Sequence, residues 1–437
     1  MLGNRKVPEN VGRWPFYLIL FFVLLPFGAS AQGATEGSGL RQFVLVMLFG
    51  LAATVFVRHP KRIRQALDAL PVTFVLLLIF TLASVYWSPE RFVSFKRVVQ
   101  VIGVTLMGLA LVAGGDGKYR LHRIVSPVLF AGMILAVGVT AAFPDFAFAD
   151  NGLRAFMATK NNFGQFAAIT VLFGVSYLLL ERRHYLYFVP LILVGLAGLA
   201  ASQSMTSILG MVIIVAFLGM LHVLRYGAPV LKVGIYLTAV LLLLVVHAYI
   251  VMNGFPSWQG MQDGFYHITG RDLTFTGRTY LWELMFNEIA KHPWLGTGYG
   301  GFWLGMEGAS GQVAYLVKWG YPGQAHNGFI DILNEIGIIG FSLLTAFIVQ
   351  HMINISTMAR IDRRYALFHA SILVFLLTLN MAEAAVLKTT HFWWIVFMAS
   401  VIELNWRVKI ESPRSNGRFV DMSRSVRPVG ARGPVAA

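Results

Sequence analysis

Long apolar stretches alternate with short basic connectors along most of the chain. A bilayer core of about 30 Å needs roughly 20 mostly apolar residues in a helix. Twelve stretches meet that measure: 14–32, 40–57, 70–87, 97–113, 124–143, 163–181, 186–202, 205–224, 230–252, 328–350, 365–387 and 391–406. Hydrocarbon leaves open sheet edges unsatisfied, so these stretches are expected as helices. The pattern predicts an all-α integral membrane protein with about 12 transmembrane helices. Helices one to nine fall within 1–252, a long loop with an amphipathic helix covers 253–327, helices ten to twelve cover 328–406, and a basic tail covers 407–437. No internal repeat stands out, which disfavours transporter folds built from duplicated halves.

Composition agrees with lipid as the solvent. Of 437 residues, 57% are hydrophobic and 13% charged, against about 25% charged in a soluble chain. The absence of cysteine excludes disulfides, thiol nucleophiles and thiolate metal sites. The net charge of +15 does not point to nucleic acid, because the Lys and Arg are interleaved with the apolar stretches. They set orientation instead: with the N-terminus in the cytoplasm, 24 of the 35 fall on the cytoplasmic side. The long loop then lies outside. Residues 5–32 resemble a signal peptide ending in Ala29-Ser30-Ala31, yet a retained first helix is the expectation; cleavage leaves every later loop on the same side. The tail from Glu411 is expected to be disordered and cytoplasmic.

Polar chemistry gathers at the outer ends. The long loop carries Trp258, Trp282, Trp294, Trp303 and Trp319, residues that favour the headgroup layer. Within it, Tyr280–Ala290 puts Leu281, Leu284, Met285 and Ile289 on one helical face. Such a helix either lies on the membrane or packs inside the loop domain. The run Gly296–Gly301 lacks the strand–turn–helix context of a nucleotide fingerprint and is read as a flexible turn.

On a helix, Asn327, Asp331, Asn334 and Glu335 form one polar stripe entering span ten. Ionisable groups at that depth normally face a cavity or a partner, so the stripe either binds substrate or locks helices together. Span eleven adds Asn380 and Glu383 near its outer end, followed by Lys388. The loop before span six adds Arg154, Lys160, Asn161 and Asn162, and the long loop adds Arg271 and Arg278. These cations suit an anionic headgroup, since guanidinium binds two phosphate oxygens at once. His326 stands just before a helix N-terminus, where the dipole disfavours imidazolium. A neutral imidazole there can take a proton from a hydroxyl. Capping by His326-Asn327 is the alternative. No metal-ligand spacing such as HExxH and no GxSxG elbow occurs.

These elements together resemble the bacterial O-antigen ligase and polymerase superfamily, its exopolysaccharide-polymerase (ExoQ-like) branch above all. His326-Asn327, nine residues, then Gly337-Ile-Ile-Gly340 is similar to that family's histidine motif with paired glycines. Gly277-Arg278 with Trp282 is similar to its Gly-Arg-x-x-x-Trp element, and Pro293–Trp303 to its Pro-x-x-Gly-x-Gly segment. Weaker likenesses are Ser84–Pro89 and Arg154–Asn162.

The resemblance implies glycosyl transfer on the periplasmic face of the inner membrane, from an undecaprenyl-diphosphate-linked oligosaccharide to a saccharide acceptor. It implies His326 as general base, and Arg278 and Arg154 on the leaving diphosphate. Asn327, Asp331, Glu335, Lys160, Asn162 and Glu383 are expected to bind substrate. An ideal helix offsets His326 and Asp331 by about 140°, which argues against their direct contact. No cofactor or metal is expected, because diphosphate already leaves well. The bilayer is a partner, a chain-length-regulating membrane protein is plausible by analogy, and nucleic acid is not expected. Polymerase is favoured over a ligase that moves polysaccharide to lipid A-core. A transporter of anionic solute or lipid-linked sugar is the reading from another class.

Overall fold

A computed structural model describes residues 39–114, 120–149, 152–181, 185–226, 278–317, 320–388 and 392–411, with 228, 230 and 241 singly. Ten of the twelve predicted stretches coincide with helices. The stretch 14–32, nearly all of 230–252, the loop over 253–277 with Arg271, and the tail beyond Glu411 lie outside the described residues. The helices are α1 (Gly39–Arg58), α2 (Pro60–Asp68), α3 (Val72–Ala83), α4 (Arg91–Gly114), α5 (Arg120–Ala142), α6 (Lys160–Glu181), α7 (Tyr185–Ser202), α8 (Met205–Tyr226), α9 (Arg278–Lys291), α10 (Gly308–Val317), α11 (Gly328–Ile361), α12 (Arg363–Asn380) and α13 (Phe392–Glu411). Single turns and a two-stranded ribbon, Phe148–Ala149 with Gly152–Leu153, join them. Among the described residues five helices are long and apolar enough to cross a membrane, or six if α2 and α3, bent by 90°, count as one span.

Helix α13 forms the centre of the bundle. Every residue from Trp393 to Trp406 is buried, as expected of a helix surrounded by others. That explains Glu403 inside an apolar run: its carboxylate accepts Tyr365 OH at 2.6 Å and Leu121 N at 2.8 Å. The paired donors remove the cost of leaving a buried charge unsatisfied. Phe74 and Phe347 pack ring against ring with Phe397 and Trp394 of this helix as a connected set.

Two predicted spans end differently from the pattern. Span ten, expected over 328–350, continues to Ile361 but is broken at Gly337, whose φ of 62° and ψ of −170° leave the helical region. The orphaned donors beyond the break are satisfied by the long loop: Ile338 N donates to Pro293 O at 2.8 Å and Ile339 N to Trp294 O at 3.2 Å. Span eleven, expected to 387, stops at Asn380. There Asn380 Oδ1 accepts Ala385 N and Val386 N, both at 3.0 Å, and folds residues 381–388 into a turn. Glu383 and Lys388 therefore stand on a loop, not a helix face.

Candidate functional site

Helix α9 positions the first cation. Leu281, Met285 and Ile289, four apart, are buried against Phe302, Trp303, Val313 and Ile330. Burying each contributes roughly 1.5–3 kcal/mol. Of the two placements the pattern allowed, the helix takes the one inside the loop domain. Arg278 and Trp282, also four apart, share another side; Trp282 reaches the His326 segment and Arg278 the 381–388 loop. Trp282 Nε1 donates to Ala325 O at 2.8 Å, while Arg278 Nη1 donates to Ala382 O at 3.0 Å. The Gly-Arg-x-x-x-Trp spacing is thus one helical turn that clips two loops together.

His326 sits between that clip and α11. Asn327 is the N-cap, its Oδ1 accepting Phe329 N at 3.0 Å and Ile330 N at 3.4 Å. Capping therefore falls to Asn327 and leaves the imidazole for other work. His326 has φ of +50°, a left-handed conformation that costs an L-residue roughly 1–2 kcal/mol. It is 5% exposed. Its Nδ1 lies 3.4 Å from Glu383 Oε2 and 3.3 Å from Gln324 Nε2. Glu383 also takes Gln324 Nε2 at 2.8 Å, Asn161 Nδ2 at 3.5 Å and the Arg278 guanidinium at 3.7 Å. Burial alone raises the Glu383 carboxyl. The His326 hydrogen bond and charge, then Arg278 and Gln324, outweigh burial and hold the carboxyl below its usual range. An ionised carboxylate thus faces Nδ1.

The polar stripe of α11 faces the glycine-rich run. Asp331 Oδ1 accepts Trp303 Nε1 at 2.8 Å and Ala325 N at 2.9 Å, and its Oδ2 lies 3.8 Å from Lys388 Nζ. Glu335 Oε2 accepts Gly300 N at 3.0 Å, and Asn334 O accepts Thr297 N at 2.9 Å. One oxygen of each carboxylate thus takes protein donors that hold Ala325-His326 and the 297–303 run in place. The run itself is a turn, but not a loose one. A Cβ on Gly296, where φ is +67°, would stand 2.5 Å from the Glu335 carbonyl carbon. Arg97 closes it from α4, donating to Gly300 O and, at 3.2 Å, to Trp303 O. Tyr299 donates to Leu387 O, and burial followed by the Glu335 charge pushes its phenol far above the ordinary value. Trp303→Phe removes one donor from a buried carboxylate. It is expected to cost about 1.5–3 kcal/mol, read as a lower unfolding temperature in detergent; an unchanged temperature refutes the anchoring role.

The remaining expected site residues divide. Asn161, at the start of α6, reaches Glu383 as above. Asn162 N is capped by Thr159 Oγ1 at 3.2 Å, and Lys160 opens the same helix. Arg154 is brought against Phe146: Nε donates to its carbonyl at 3.0 Å and the guanidinium lies 4.6 Å over its ring. It does not join the contacts among Arg278, Glu383 and His326. Two participants carried little sequence signal. Gln324 is an uncharged loop residue, and Arg97 is marked only as a cation at the outer end of an apolar stretch.

Beside the cluster opens an apolar groove of about 300 Å³, lined by Trp282, Phe286, Asn327, Phe329, Leu333 and Phe341 among others. Its lining includes Asn327, the neighbour of His326, and Phe341 beyond the break in α11.

This arrangement can be set against known proteins. Residues 190–345 match the O-antigen ligase family, a stretch that contains Arg278, His326, Gly337 and Gly340. The exopolysaccharide production protein ExoQ of Rhizobium meliloti (strain 1021) is 24% identical over 286 residues, which cover 62% of this chain and 62% of that protein. The chain thus spans about three fifths of the length of the curated relative it matches. Both findings support the resemblance to the O-antigen ligase superfamily and its ExoQ-like branch read from the motifs.

Proposed function

We propose that the protein is a membrane glycosyltransferase that polymerises undecaprenyl-diphosphate-linked oligosaccharides into exopolysaccharide or O-antigen on the periplasmic face of the inner membrane. In this reading the chain crosses the membrane twelve times, with the 253–327 loop outside. The observation that carries the reading is the His326–Glu383–Arg278 cluster, a base backed by a carboxylate and set beside a cation.

Glu383 accepts a hydrogen bond from Nδ1–H of His326, so Nε2 presents its lone pair. The acceptor hydroxyl gives its proton to Nε2 as its oxygen bonds to the anomeric carbon. The anomeric carbon–diphosphate bond breaks on the opposite face and the configuration inverts. The lipid diphosphate leaves as an anion, and Arg278 supplies positive charge where that negative charge develops. Arg154 is assigned to the same anion, through the guanidinium nitrogens that Phe146 does not use. The apolar groove suits the hydrocarbon chain of the carrier, because its lining includes both the neighbour of His326 and Phe341 of a helix that enters the bilayer. Asn161 and Glu383 take part by holding the base.

Arg278→Ala is expected to lower transfer by about 10²–10³-fold, and Arg278→Lys to recover part of it, lacking the bidentate fork. The deciding experiment expresses wild-type protein in a polymer-deficient strain of the source bacterium and sizes the glycans. Single repeat units on the carrier in the empty strain, with long chains restored by wild type, support a polymerase. Free long chains that fail to reach lipid A-core support a ligase instead. Full activity of Arg278→Ala removes the cluster from the chemistry.

A further inference from the structure

We propose that Gln324 is the positioning residue that sets the direction of the His326 imidazole, making Nε2 the nitrogen that meets the acceptor hydroxyl. The inference rests on His326 being the base. It starts from the three contacts of one side-chain amide. Gln324 Oε1 accepts Ala384 N at 3.1 Å, which fixes which end of the amide is oxygen. The amino end must then face the cluster, where Nε2 donates to Glu383 Oε2 at 2.8 Å and lies 3.3 Å from His326 Nδ1.

Two arrangements of the ring compete there. If Nδ1 carries the proton, it donates to Glu383 Oε2 across 3.4 Å, and Nε2 is the base. If Nδ1 is bare, it accepts the second amino hydrogen of Gln324, Nε2 carries the proton, and the ring cannot accept another. A charge-assisted bond is about twice as strong as a neutral one, so the anionic Glu383 favours the first arrangement. Gln324 keeps the acceptor oxygen in place for it. Its own hydrogen bond holds the same Oε2 at 2.8 Å, and its grip on Ala384 N ties down the residue after Glu383. The backbone supports the same reading. His326 is held at φ of +50°, and strained residues persist where their surroundings over-determine them. Gln324, two residues earlier, ties that turn to the 381–388 loop.

The carboxylate and the amide therefore do different work. Glu383 accepts the Nδ1–H hydrogen bond. Gln324 decides which carboxylate oxygen is available and from which direction. A merely structural glutamine would tolerate an isosteric replacement with no effect on proton transfer, whereas a positioning one would not.

The test uses membranes of the source bacterium lacking its own copy of the gene, which retain that organism's lipid-linked saccharide. The full-length chain is expressed as wild type, Gln324→Met, Gln324→Glu and His326→Ala, and polymer formation is followed against pH and against the amount of lipid-linked substrate. Gln324→Met is expected to lower kcat about ten-fold or more with KM nearly unchanged, within the range a positioned base contributes. Gln324→Glu keeps the shape but adds a negative charge beside Nδ1. That charge stabilises imidazolium, so the acidic limb of the pH–rate profile moves to higher pH. These two results with an inactive His326→Ala support the proposal. An inactive His326→Ala with both Gln324 variants matching wild type in rate and pH profile overturns it and leaves the base assignment standing. Equal, pH-independent losses in both variants also overturn it, since they mark a structural role. An active His326→Ala removes the base itself, and the proposal with it.

Discussion

His326→Ala is expected to abolish polymer formation while leaving the protein folded and in the membrane. In the proposed reaction the imidazole takes the acceptor proton, and a positioned general base contributes about 10²–10⁴-fold in rate. Little of the fold depends on it. Asn327, not His326, caps α11, and Ala325 N rather than any imidazole atom bonds to Asp331. The backbone makes a sharper version of the test available. Because His326 holds φ of +50°, His326→Gly relieves strain that alanine retains. The glycine variant should therefore be as inactive as alanine but no less stable than wild type, apart from the lost contacts of the ring with Gln324 and Glu383. Thermal unfolding in detergent alongside polymer output separates the two effects. Polymer at wild-type levels from either variant means the proton goes elsewhere.

The second large effect is expected at a residue with no side chain at all. Gly337→Ala should cost both stability and activity, because the break in α11 exists only with glycine there. A Cβ would stand 2.3 Å from Trp294 O and 2.6 Å from Leu295 N, and φ is +62°. The left-handed conformation alone costs roughly 1–2 kcal/mol. Relief of the clash must push Trp294 away and weaken the bonds from Ile338 N to Pro293 O and Ile339 N to Trp294 O. Each such bond contributes about 0.5–1.5 kcal/mol net. The 293–303 loop would then lose its seat, and with it the Trp303–Asp331 contact that orders the start of α11. Gly138→Ala and Gly219→Ala make suitable controls. Both sit inside helices, with nothing within 4 Å of the added carbon, and should show no loss. A Gly337→Ala protein that unfolds at the wild-type temperature and makes normal polymer would mean that the loop does not depend on the break.

The same glycine shows why nine residues separate His326-Asn327 from the paired glycines. The segment between them, 328–336, is a short helix of its own, capped by Asn327 and ended by Gly337. Its length sets how far the break at Gly337, with the Pro293 and Trp294 carbonyls seated on it, stands from His326. The motif was visible in the sequence, but its physical meaning was not. A glycine in an apolar run is compatible with an unbroken helix, and only the carbonyls of Pro293 and Trp294 supply the partners that make the break stable.

The apolar periodicity alone determined that the chain is a helical membrane protein. Burial in lipid leaves the helix as the local way to pair every backbone group, so ten predicted stretches coincide with helices. It also marked His326, Arg278 and Glu383, because charged and imidazole groups beside apolar stretches stand out. What it did not determine was who meets whom. Asp331 and Glu335 look like binding groups from their positions, and the structure adds that Trp303 and Gly300 donate to them from a loop some thirty residues earlier. Gln324 carries no charge and no pattern, and Arg97 lies more than two hundred residues from the glycine it holds. Such contacts depend on how loops fold back across helix ends. Local hydropathy carries no record of that, so only the tertiary structure decided which polar groups meet one another.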